Sequence, residues 1–129
     1  MGRIITEVIV SNTVNKEKSI LFDALVDTGA SHVVLPKVWK ERLGELEFIE
    51  EVESEVANQT KGKGEIMGPV KIQIGNFRAV FDEILFIDME KNQDGKYEPL
   101  VGYTILEKIP VAVDMLGHRL VKVRALDLK

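Results

Sequence analysis

With 129 residues the chain has the length of a single domain, enough to bury one modest core. Its formal net charge of −4 and its scattered lysines and arginines argue against a nucleic-acid partner, and its longest apolar run, Ile84 to Ile87, falls far short of the ~20 residues of a membrane-spanning helix. No cysteine is present, which excludes disulfides, thiolate metal sites and thiol nucleophiles and leaves His32 and His118 as the imidazoles.

Glycine, asparagine and aspartate punctuate the chain at short intervals, and the segments between them alternate or are rich in valine and isoleucine, the pattern of an all-β protein. Met1 to Glu7 brings in charge too early for the apolar stretch of a secretory leader, so a cytoplasmic location is the expectation. Ile4 to Val10 and Ser19 to Val26 read as paired strands, with Ile20, Phe22, Ala24 and Val26 on one face. The second of these strands runs directly into Asp27. Pro36 is suited to open a short helix through Trp39 and Leu43, and Gly44 suits the left-handed position after it.

Glu45 to Ala57 then reads as an acidic strand, Asn58 to Gly64 as a polar tip, and Glu65 to Met67 as the return of a mobile hairpin. Val70 to Ile74 and Phe77 to Phe81 flank Gly75-Asn76, a pair that predicts a tight hairpin, and Glu83 to Ile87 reads as a further strand. Asp94-Gly95 marks a turn before Tyr97, Leu100 and Val101. Tyr103 to Lys108 has the spacing of a brief helix with Ile105 and Leu106 inward, ended by Pro110. Val111 to Asp114 and Arg119 to Leu126 form a last hairpin around Leu116-Gly117-His118. Neither a repeat nor an interdomain linker interrupts residues 1–129, which read as one domain.

The chemistry concentrates at Leu25-Val26-Asp27-Thr28-Gly29-Ala30-Ser31, where an acidic residue ends an apolar strand and small residues follow in a turn. A carboxylate beside apolar strands is costly unless donors hold it or a partner shares its proton. Taken alone, Asp-Thr-Gly is also an ordinary turn sequence. A second apolar pair plus glycine, Leu100-Val101-Gly102, precedes the later helix and could pack beside the Asp27 strand.

Asp23 to Ser31 together with Leu100-Val101-Gly102 resembles the retropepsin-like aspartic peptidases, viral and cellular, and the resemblance spans most of the chain. It implies a closed, barrel-like acid-protease fold with two short helices, assembled as a two-fold homodimer. It implies further that Asp27 of each chain supplies one carboxylate of a dyad that activates water, with Thr28 bonding across the dimer. Gly29 and Ala30 would shape the floor beneath substrate. Leu25, Ala30, Ser31, Leu100, Val101 and Gly102 would line the substrate site, and Asn58, Gln59, Thr60 and Gly62 would belong to a flap that closes over bound peptide. No metal or other cofactor is implied. The partners would be a second copy of the chain and a peptide or unfolded protein, not nucleic acid or membrane.

Ser31 stands where many viral members carry an acidic residue, and Tyr103 where they carry its arginine partner. The flap segment is charged and lacks their glycine-rich apolar tip. A non-catalytic dimeric peptide-binding or assembly module, with Asp27 as a structural acceptor, is the competing expectation.

Other residues carry less. Glu90, Asn92 and Asp94 mimic the start of a calcium loop, but Val101 occupies the place of its bidentate glutamate. The acidic set from Glu45 to Glu55 reads as a solvated strand face. His32 directly follows the motif, where it could tune the Asp27 pair, but reads rather as a residue pointing to solvent; Trp39 reads as a core or rim aromatic, and His118 as a turn residue. Asp23 lies on the Asp27 strand, but four strand residues span about 13 Å, too far to share a proton.

Overall fold

The structure, a computed structural model, describes residues 3–54 and 62–123. The alternation seen in the first segments becomes β1 (Ile5–Asn12) and β2 (Ser19–Val26), an antiparallel pair in register from Ile5 opposite Leu25 to Ser11 opposite Ser19. Val8, Val10, Ile20, Phe22 and Ala24 point inward, and Val26 packs against their cluster.

A strand that sequence reading did not assign follows the Asp27 turn: β3 (Val33–Pro36), buried at every residue. Its run Val-Val-Leu-Pro carries no alternation because both of its faces are covered. Pro36 therefore ends this strand, and the helical turns, of 3-10 type, begin at Lys37 and run to Leu43, with Gly44 in the left-handed region at φ 71°. Trp39 packs at the rim of the core, its ring 5.6 Å from that of Phe22.

The acidic segment forms β4 (Glu47–Ser54), paired antiparallel with β5 (Gly62–Ile74). Residues 55–61, and with them most of the expected flap tip, lie outside the described residues. The return and the Val70–Ile74 segment, read as separate strands, are one strand with a register shift between Met67 and Val70. On one side of the shift β5 pairs with β4; on the other it pairs with β1.

The segments around Phe81 and Ile87 are likewise one strand, β6 (Val80–Ile87). The two-residue connection predicted at Gly75-Asn76 is therefore longer than expected. Two contacts draw residues 77–78 out of the ladder: the Gln73 amide donates to the Phe77 carbonyl, and the Arg78 guanidinium donates to the carbonyls of Lys108 and Ile109. The Asp94-Gly95 turn forms, with Oδ1 of Asn92 accepting from the N–H groups of Asp94 and Lys96. That amide is thus engaged in an ordinary turn.

Next come β7 (Leu100–Val101), α1 (Tyr103–Lys108) with Ile105 and Leu106 buried, and a separate hairpin of β8 (Val111–Asp114) and β9 (Arg119–Lys122). His118 occupies its turn at φ 52°. The ladder runs β1-β2-β7-β3-β6-β5 and closes through the β1–β5 pairing, with β4 added beside β5. The result is an all-β, closed six-stranded barrel with two short helices, filled by the apolar residues of its own strands. Among the described residues no helix is long and apolar enough to cross a membrane.

Candidate active site

The barrel order places β7 between β2 and β3, so the chain leaves β2 at Asp27, loops outward, and returns as β3 on the far side of β7. Asp27 is thereby carried on a loop braced by a strand from far along the sequence. Leu25 N–H donates to the Pro99 carbonyl at 2.9 Å and Asp27 N–H to the Val101 carbonyl at 3.0 Å, fixing the end of β2.

Inside the loop, Gly29 N–H donates to Asp27 Oδ1 at 2.9 Å and Ala30 N–H to the Asp27 carbonyl at 3.0 Å. Tyr103 N–H donates to the Ala30 carbonyl, and the Thr104 hydroxyl donates to that of Ser31. These bonds fasten the loop to the start of α1.

Gly102 lies against this loop with no space for a side chain. A Cβ there would stand 2.5 Å from the Ala30 carbonyl oxygen and 2.6 Å from the His32 nitrogen, both backbone atoms that cannot swing aside. Gly29 is tight for a related reason, since its Cβ would come within 3.2 Å of Asp27 Oδ1. The glycine of each motif thus serves the same loop.

The sequence-predicted residues separate by exposure. Asp27 is partly buried, Thr28, Gly29 and Ser31 are exposed, and Leu25 and Ala30 are intermediate. Leu100, Val101 and Gly102, expected to line the substrate site, are buried and hold the loop from beneath. Gly62 opens β5 as an exposed residue, while Asn58, Gln59 and Thr60 lie outside the described residues. His32 does not point to solvent as expected. Its Nδ1 lies 2.9 Å from Ser31 Oγ and its Nε2 3.3 Å from Glu83 Oε1, so two polar neighbours hold the ring against the protein.

An open cleft of ≈ 250 Å³ adjoins the carboxylate, walled by Leu25, Val26, Thr28, Val113 and Met115. Val113 and Met115 were missed by sequence reading, since nothing local marks the last hairpin as a neighbour of Asp27. A smaller cleft, ≈ 160 Å³, lies on the other side of Leu25 and includes Asp23, Tyr97 and Glu98. Asp23 thus borders a different cleft from Asp27. The Arg3 guanidinium 2.9 Å from Glu98 holds that carboxyl below the usual range, with a smaller contribution from Asn92. Among the described residues no group of three or more histidine, aspartate or glutamate side chains could hold a metal ion.

The site therefore offers one partly buried carboxylate at an open cleft, on a loop fixed from beneath. Comparison with known proteins gives this arrangement a context. The family model described as "Aspartyl protease" matches residues 10–104. Among solved structures the fold is similar to that of the EIAV protease complexed with the inhibitor HBY-793, with a TM-score of 0.55 and 21% sequence identity over 88% of this chain and 94% of that one. No curated protein matches.

Proposed function

The chain belongs to the aspartyl protease family, in its retropepsin-like branch, and from that membership we propose that it is a homodimeric endopeptidase in which Asp27 of each subunit supplies half of the catalytic pair. The observation that carries this reading is the single carboxylate of Asp27 at the edge of an open cleft, on a loop that Gly102 and β7 hold in place. A two-carboxylate mechanism needs a second group of the same kind, and a second copy of the chain is its simplest source.

Two carboxyl groups at hydrogen-bonding distance do not both ionise cheaply, so such a pair holds one proton between them. The ionised member takes a proton from the attacking water while the protonated member donates to the scissile carbonyl. The substrate class is an extended, apolar-centred peptide or unfolded protein, lying as an added strand between the floor at Gly29–Ala30 and the β4–β5 flap. The backbone bond from Gly29 to Asp27 Oδ1 orients the carboxylate and leaves Oδ2 for substrate water.

The same bond is what a structural acceptor would make, so it fits the alternative of a non-catalytic binding module equally well. The Asp27→Asn variant separates the two. An amide fits the same volume, so the variant folds and assembles as the parent does. As an enzyme it loses cleavage of unfolded polypeptide by about 10³-fold or more, the scale of acid–base catalysis. Retained hydrolysis would overturn the assignment, and an absence of any inhibitable hydrolysis in the parent would favour the binding module.

A further inference from the structure

The loop after Asp27 ends in a chain of three side chains that the acid–base chemistry leaves unused. The exposed Ser31 hydroxyl lies 2.9 Å from Nδ1 of His32, and Nε2 of that ring lies 3.3 Å from Oε1 of Glu83 on β6. The His32 side chain retains only 21% of its exposure, so solvent is not its principal neighbour. The backbone at both residues is fixed too, by the Thr104 hydroxyl on the Ser31 carbonyl and by Gly102 packed against the His32 nitrogen.

A carboxylate oxygen only accepts hydrogen bonds, so beside Glu83 the neutral ring carries its proton on Nε2 and leaves Nδ1 as an acceptor. Ser31 then gives its one proton to Nδ1 and presents oxygen lone pairs outward. When the ring takes a second proton, Nδ1 becomes a donor. Ser31 must now accept from it, and its own O–H turns outward. One protonation in the half-buried ring thus reverses what the exposed hydroxyl offers. The charged group facing the ring from β6 is Glu83, since the next carboxylate, Asp82, is paired at 3.1 Å with Lys108 of α1. Within the loop, Asp27 is engaged by Gly29.

We propose that His32, held by Glu83, is a positioning residue that sets whether Ser31 accepts from or donates to the main chain of bound peptide. Peptide recognition, separately from bond breaking, then depends on the protonation state of that ring. The proposal rests on the peptide-binding reading of the Asp27 cleft, because Ser31 stands on the same loop.

The test uses the Asp27→Asn protein, in which the acidic pair no longer titrates. Binding of fluorescein-labelled casein is followed by anisotropy at pH 5 and pH 8. A difference in affinity of about threefold or more is expected, the scale of one net hydrogen bond. Ser31→Ala removes the hydroxyl and His32→Asn removes the titrating ring, and each abolishes the difference. Equal affinity at the two pH values, a difference that survives Ser31→Ala, or no binding at either pH would each overturn the proposal. Cleavage by the parent is measured in parallel. A parent that cleaves while the variant shows no pH-dependent binding sinks this inference alone. A parent that never cleaves, with pH-dependent binding intact, sinks the enzymatic reading alone.

Discussion

The Asn12 amide uses all of its hydrogen-bonding capacity. Nδ2 donates to the carbonyls of Leu43 and Glu45, each at 2.8 Å, while Oδ1 accepts from the N–H groups of Val14 and Asn15. One buried side chain thereby joins the β1–β2 turn to the end of the 3-10 helix, next to the left-handed Gly44. Asn12→Asp keeps the shape but cannot donate, so two carbonyls lose their partner and a charge is buried beside them. A loss of about 3 kcal/mol is expected, read as a lower urea midpoint with unchanged m-value. Asn12 was invisible in the sequence, where it looked like any turn asparagine, because its value lies in contacts made some thirty residues away. Asp27 stood out because a carboxylate ending an apolar strand is marked in the sequence itself. Gly102 was marked by its motif but read as lining the substrate site, whereas it lies buried beneath the loop, where a Cβ would stand 2.5 Å from the Ala30 carbonyl oxygen.

At the scale of elements, β5 is tied to the helical segment by Lys40 and Glu65, whose charged atoms approach to 2.5 Å. The hydrogen bond from Lys40, chiefly, holds the Glu65 carboxyl below its usual range, against an opposing effect of burial. A carboxyl depressed by folding adds stability that is fully present above the unfolded value, about 4.3, and is lost as pH falls through the folded one. Lys40→Met should therefore cost up to about 1 kcal/mol near neutral pH, since both groups are partly exposed. Urea midpoints of parent and variant should converge as the solution is acidified toward pH 3; a gap that stays constant would show that the lost ammonium matters through packing instead.

Elements with one wet face, such as β1 and β2, announced themselves by alternation. β3, covered on both faces, did not, because it lost its pattern in the barrel wall, and β6 was cut in two because Asp82 and Glu83 sit mid-strand, paired with Lys108 and His32. The β5 run was divided for a different reason, since Gly68-Pro69 reads as a break but falls at a register shift that turns the strand from β4 toward β1.

For the whole molecule, closure of the six-strand ring leaves Asp27 at its edge and not in its core, with the β8–β9 hairpin as a separate sheet beside the same cleft. If each active site draws one carboxylate from each of two chains, a mixed dimer of parent and Asp27→Asn is inactive. Equal amounts of the two proteins, allowed to exchange subunits, distribute so that about a quarter of the dimers carry two aspartates, against half before exchange, as a symmetric pair requires. Activity should fall to about half as mixing equilibrates, and dilution of the parent should lower activity per chain as dimers separate. A site completed within one chain predicts neither effect: its activity would be indifferent to the added variant and proportional to concentration. The mixing experiment reads the composition of the site directly through function, because the variant differs from the parent only in one oxygen replaced by an amide nitrogen.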